Sequence, residues 1–241
     1  MSKNKPLVGF DRYVEVQWMD QAACLVGEGK SISEINDDLD VYLMAYVGGE
    51  TSRRKTKNIL TACWCKSLSD EKAFKEAAVK MFKGVSGDEK VALHYGLSVM
   101  SYPYFLSLGK ILGRLFKLQD EVTNAEFYQR VIESVGDRDS IRRASARYLQ
   151  SLINWNILEC GENSSVKLGH RFSIQSDDVV KWLYATMLFS SESPRMSVDE
   201  IISNPVWFPF DLSKNITSVI ESPFMDVLHQ GVGDTLVSLK G

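Results

Sequence analysis

The chain has 241 residues, 44% apolar and 24% charged, with 28 Lys and Arg against 31 Asp and Glu and a formal charge of −3. These are globular values that exclude a disordered or fibrous chain, and the length suffices for one large domain or two to three small ones. Only 16 Gly and 6 Pro argue against an all-β sandwich with its many tight turns.

The N-terminal stretch 1–18 is polar and charged and lacks an apolar run of signal-peptide length. The most apolar stretch, 102–118, is interrupted by Lys110, Arg114 and Lys117, so no membrane span is expected. A cytoplasmic location follows as the expectation, with free thiols at Cys24, Cys63, Cys65 and Cys160. Cys63-Trp64-Cys65 is not a zinc spacing, and no metal or cofactor is expected.

The first half reads as helices. An apolar stretch with helical spacing covers 14–26 and ends at Gly27-Glu28-Gly29. Ser31-Ile32-Ser33-Glu34 is a capping box, in which the hydroxyl caps a backbone N–H and the glutamate reaches back. It opens a helix to about Tyr46, stopped by Gly48-Gly49. A basic helix then spans 53–64 and another spans 71–83, ending near Gly84 and Gly87. Helices over 88–100 and 104–118 are separated by Pro103, which suits an early helical position. Thr123-Asn124-Ala125-Glu126 is a second capping box for a helix to about Val135, and Gly136 ends it. A longer helix, capped by Asp137 or Asp139, runs to about Trp155. The pattern then alternates as in strands over 157–160, 165–168 and 171–174, with a turn at Gly161-Glu162-Asn163. Ser176 caps a helix to about Phe189, and Ser197-Val198-Asp199-Glu200 is a third capping box. The Pro-broken run 206–210 cannot be one regular element. The tail, 217–239, is expected to hold a short strand or two.

The expected fold is therefore mainly α: a helical N-terminal bundle over 1–87, a winged helix-turn-helix with a small β-hairpin over 88–175, and a mixed helical and irregular C-terminal extension over 176–241. Helix, helix, Gly-containing turn, helix and hairpin is the order of a winged helix.

Function is approached through local charge. Glu34, Asp37, Asp38 and Asp40 form an acidic cluster, and Arg53, Arg54, Lys55 and Lys57 a basic one. On a helical wheel of 138–155, Ile141, Ala144, Tyr148, Leu152 and Trp155 share one face. Arg142, Arg143, Ala146, Arg147 and Gln150 share the other, near Arg138. Guanidiniums clamp phosphate and read guanine, and an amide pairs with adenine. Lys167 and Arg171, with His170, fall where a wing would contact DNA. The candidate DNA-binding set is Arg53, Arg54, Lys55, Lys57, Arg138, Arg142, Arg143, Arg147, Gln150, Lys167 and Arg171. Opposing readings are a solvated charged helix face, and a 53–57 cluster that merely neutralises the acids of 34–40. His94 in an apolar helix reads as a buried, satisfied residue. No phosphate-loop, dinucleotide-binding, zinc-protease or nucleophile-elbow motif is present, so no catalytic residues are assigned and a non-enzyme is expected.

His94-Tyr95-Gly96, Tyr102-Pro103-Tyr104-Phe105, Gly136-Asp137-Arg138, Ser151-Leu152-Ile153-Asn154-Trp155 and Pro205-Val206-Trp207-Phe208-Pro209-Phe210 resemble a bacterial winged-helix family associated with phage-defence islands. The resemblance covers about 90–210. More loosely, the helical first half and winged second half resemble the BrxA-type DNA-binding proteins of BREX systems. The resemblance implies a DNA-binding accessory of a multi-gene defence system, with double-stranded DNA and other proteins of that system as partners. Two alternatives stand beside it: an adaptor whose winged helix docks a protein, with the 206–210 aromatics as an exposed patch, and a ligand-responsive transcription regulator.

Overall fold

The computed structural model describes residues 9–67, 69–191, 193, 195–212, 222–230 and 234–240, without the side chains of 69, 229, 230 and 234. The parts of the expected tail strands that fall on 217–221 and 231–233, and the side chain of His229, lie outside the described residues. The fold is mainly helical, with ten α-helices and three small sheets among the described residues. No described helix is long and apolar enough to cross a membrane.

Helices α1 (Val16–Gly27), α2 (Ile32–Leu43), α3 (Glu50–Trp64) and α4 (Lys72–Phe82) build the first quarter. The Ser31–Glu34 capping box forms in full. Helix α3 starts earlier than its basic residues suggest, because Gly49 at φ 80° supplies the left-handed N-cap conformation. Helix α5 (Asp88–Ser101) crosses the centre of the molecule, and every residue from Ala92 to Met100 is buried. Pro103 is the first residue of α6 (Pro103–Phe116).

A strand the sequence patterning does not reveal, β1 (Glu121–Thr123), comes next. Thr123 ends it and also caps α7 (Asn124–Val135). Only half of that capping box forms, because Glu126 turns to Gln119 at 2.7 Å. Gly136, at φ 88°, closes α7 and begins a three-residue connection to α8 (Asp139–Asn154). Arg138, rather than an aspartate, is the N-cap of α8, with no side-chain cap.

Strands β2 (Leu158–Cys160) and β3 (Ser165–Leu168) pair antiparallel as a hairpin. β1 pairs antiparallel with the other edge of β3, giving the sheet order β1-β3-β2. The third expected strand is shorter and does not join this hairpin. β4 (Phe172–Ser173) runs parallel to β6 (Phe210–Asp211), far along the chain.

Ser176 caps α9 (Asp177–Phe189), which packs along α5. β5 (Arg195–Ser197) leads into α10 (Val198–Ile202), where the third capping box forms in full. The Pro-broken run is a 3₁₀ turn, Pro205–Trp207, with Val206, Trp207 and Phe210 buried. β7 (Met225–Gln230) and β8 (Asp234–Leu239) form an antiparallel pair with β5 on the far side of β8.

One apolar cluster extends from Phe10 to Val237 and draws on all three sequence segments. Close backbone approach helps build it. A Cβ on Gly113 would collide with the Pro205 carbonyl, so α6 seats against the 205–207 turn only with glycine there.

Candidate functional site

Helix α8 is held by an apolar face and presents a polar one. Ile141, Ala144, Tyr148, Leu149, Leu152 and Trp155 are buried. Arg142, Arg143, Arg147 and Gln150 are exposed. The flanking backbone fixes this orientation. Val14 N–H donates to Ser151 Oγ, Val16 N–H donates to Asn154 Oδ1 and Trp155 Nε1–H donates to the Val14 carbonyl, each at 2.9 Å. The bonded partner of Trp155 is this N-terminal segment, and its ring neighbours are Phe105 and His94.

These three bonds strap residues 14–16 alongside α8, and the strap carries Arg12 to the polar face. Arg12 and Asp11, Lys55 from α3, and Ser140, Arg143, Arg147 and Gln150 from α8 line one open cleft of about 560 Å³. Four cations meet there with one carboxylate. Asp11 lies 3.8 Å from Arg12 Nε, which has no hydrogen-bond partner among the described residues. Arg147 donates to Gln150 at 2.7 Å. A second cleft, containing Tyr13, Ile153, Asn154 and Cys160, shares Arg147 and Gln150. The two make a trough along α8.

The other predicted cations divide into paired and free. Arg53 and Lys57 both face Asp40, at 3.6 and 2.8 Å, and their side chains are largely covered. Lys57 chiefly holds the Asp40 carboxyl below its usual range. So half of the 53–57 cluster ties α3 to the acidic α2, while Arg54 and Lys55 stay exposed with no carboxylate in ion-pair range among the described residues. Arg142 forms a two-bond pair with Asp137, at 2.9 and 2.8 Å, which lowers the pKa of that carboxyl. Arg138 is exposed at the start of α8.

On the hairpin, Lys167 stands between Glu121 and Glu159 in the strand register and pairs with Glu159 at 3.3 Å. The exposed Glu162 sits at the turn, where its backbone N–H donates to Glu121. The hairpin surface is therefore acidic on balance. His170 binds Asp88 at 3.0 Å. Arg171 lines a separate cleft of about 340 Å³ with Lys117, Phe116 and Phe208, away from the trough.

His94 is fully buried. Its Nδ1 accepts from Trp64 Nε1–H at 3.2 Å, and its Nε2 lies 3.0 Å from Asp20. All four cysteines are free thiols, and burial pushes Cys63 up to about 12. Among the described residues no three His, Cys, Asp or Glu side chains converge to hold a metal.

Sequence reasoning missed Arg12. It sits beside an acid in an extended stretch, and only the strap to α8, a contact some 140 residues distant in sequence, makes it part of a basic face. Compared with protein-family models, with curated proteins and with solved structures, the chain has no significant match.

Proposed function

We propose that residues 103–168 form a winged helix that binds double-stranded DNA through α8, with no catalytic step of its own. One observation supports this above others. The chain runs α6, β1, α7, α8, β2, β3 with sheet order β1-β3-β2. That order matches a helix-turn-helix closed by a three-stranded wing sheet, an arrangement in which the last helix is the one offered to DNA. Here that helix offers Arg138, Arg143, Arg147 and Gln150, and the tight Gly136 connection sets it against α7. Guanidiniums near the helix start suit phosphate or guanine edges.

The phage-defence role draws its support from the residue resemblance. The DNA-binding role draws its support from the surface described above.

The test is a mobility-shift titration on duplex DNA across salt concentrations. If the free cations contact phosphates, log affinity falls linearly with log salt, with a slope corresponding to about four to six contacts. Arg143→Ala weakens binding and relaxes any sequence preference. Absence of a shift at low salt refutes the assignment.

A second reading, an adaptor that docks a protein, is favoured by one feature. Val41, Met44 and Tyr46 are 68%, 56% and 56% exposed around the end of α2, with the Tyr46 ring resting against Trp18 and Tyr42. In that case the α8 face would be silent in DNA assays while substitutions at Met44 and Tyr46 would release the partner.

A further inference from the structure

We infer that the cleft between the 11–12 segment, the start of α3 and α8 is a backbone-phosphate seat, so that duplex DNA crosses from α8 onto the N-terminal helices and leaves the hairpin clear. This rests on the DNA-binding function proposed above and specifies the path. It moves the second point of contact from the wing to Arg12 and Lys55.

Three observations carry it. The first is charge. Arg12, Lys55, Arg143 and Arg147 converge on one cleft against the single carboxylate Asp11, with the Ser140 hydroxyl also at its wall. Like charges from three separate chain segments repel one another, and a polyanion relieves that repulsion. Guanidiniums present planar forks that match phosphate oxygens two at a time.

The second is pre-organisation. The strap bonds from Val14, Val16 and Trp155 place Arg12 before any ligand arrives. Phe10 and Val14, both fully buried, anchor the segment on either side of it. An anchored segment loses little conformational freedom when an anion binds.

The third is the wing itself. Its lysine is flanked by Glu121 and Glu159 in register and paired with the latter, and Glu162 occupies the turn. A phosphate brought there would meet net negative charge. The cleft also continues along α8 through Arg147 and Gln150 towards Tyr13 and Asn154. An elongated polyanion fits such a trough better than an isolated phosphate does.

The experiment uses the full chain and a mixed-sequence DNA duplex at several salt concentrations. Arg12→Ala combined with Lys55→Ala should weaken binding roughly tenfold at low salt and reduce the salt slope by about two. Lys167→Ala on the hairpin should leave affinity within about twofold of the parent, since it removes no phosphate contact. Should Arg12→Ala disturb the strap, shown by a lowered melting temperature, the exposed Lys55→Glu alone reads the seat and should weaken binding at least as much as Lys55→Ala. Unchanged affinity and slope in the Arg12/Lys55 variants, with binding still lost in Arg143→Ala/Arg147→Ala, overturns the seat and leaves α8 as the DNA reader. No duplex binding by the parent protein overturns both. Equal binding of poly-glutamate, with the same dependence on Arg12 and Lys55, overturns DNA as the occupant.

Discussion

His94 sits where α1, α3, α4 and α5 meet, and its two ring nitrogens have fixed and opposite tasks. Nδ1 must be bare to accept from Trp64, and Nε2 must carry the proton that goes to Asp20. A second proton would set N–H against N–H at Trp64. Around the ring stand Trp64, Phe82, Trp155 and the Asp20 carboxylate, with Lys90 adding a like charge. Burial is the largest influence and lowers the pKa, with Asp20 opposing it. The unfolded chain therefore binds a proton more readily than the native one. Stability is complete above the unfolded value of about 6.5 and declines as pH falls below it. Urea midpoints measured from pH 5 to 8 should drop towards acid, and His94→Gln should flatten that limb. A parent midpoint unchanged below pH 6 would show that the native ring and the unfolded chain bind the proton equally well, so that burial does not set them apart.

At the scale of the element, α8 has one face that packs and one that does not. Trp155 is 1% exposed and hydrogen-bonded through its indole. Truncation to Ala removes a large buried ring and orphans the Val14 carbonyl, which should cost about 3–5 kcal/mol. Arg143→Ala, on the outer face, should be close to neutral in the same urea melts. The reverse result would mean that the guanidinium face is buried. Gly113→Ala on α6 should cost about 1–3 kcal/mol, because the new methyl must displace the Pro205 backbone. The register of α8 was legible in the sequence because 3.6-residue periodicity is a local property, written in Ile141, Tyr148 and Leu152. Ser31 and Ser197 marked helix starts for the same reason. β1 was not legible. Three residues are too few for alternation to show, and Thr123 serves the strand and the next helix together. The partner of β4 was not legible either, because a parallel pairing across 38 positions leaves no trace in local pattern.

Across the whole molecule, charge and packing both ignore the boundaries that composition suggests. The basic cluster at 53–57 splits, with Arg53 and Lys57 committed to Asp40 and Arg54 and Lys55 left outward. That split follows from which side of α3 meets α2, which spacing alone does not reveal. Packing behaves likewise. Helix α5 is covered by α3 from before it and by α9 from after it, and Trp182 of α9 presses on Gly96 while its indole bonds to Phe74 of α4. Trp155 is held by Val14. A fragment of 88–175 would thus expose α5 on the faces that α3 and α9 cover, and it would lose the strap along α8. The hydrophobic term that stabilises a domain scales with apolar area removed from water, and this fragment forfeits much of it. It should show no cooperative melt by circular dichroism and should bind a hydrophobic dye. The full chain should unfold in one step, with tryptophan fluorescence and far-ultraviolet dichroism giving coincident urea transitions. Two separated transitions, or a fragment that melts cooperatively, would mean that residues 88–175 fold on their own and that the N-terminal helices are docked onto them. The cleft containing Arg12 and Lys55 would then depend on docking as well as on folding, and the phosphate binding proposed for it would be lost with urea before α8 itself unfolds.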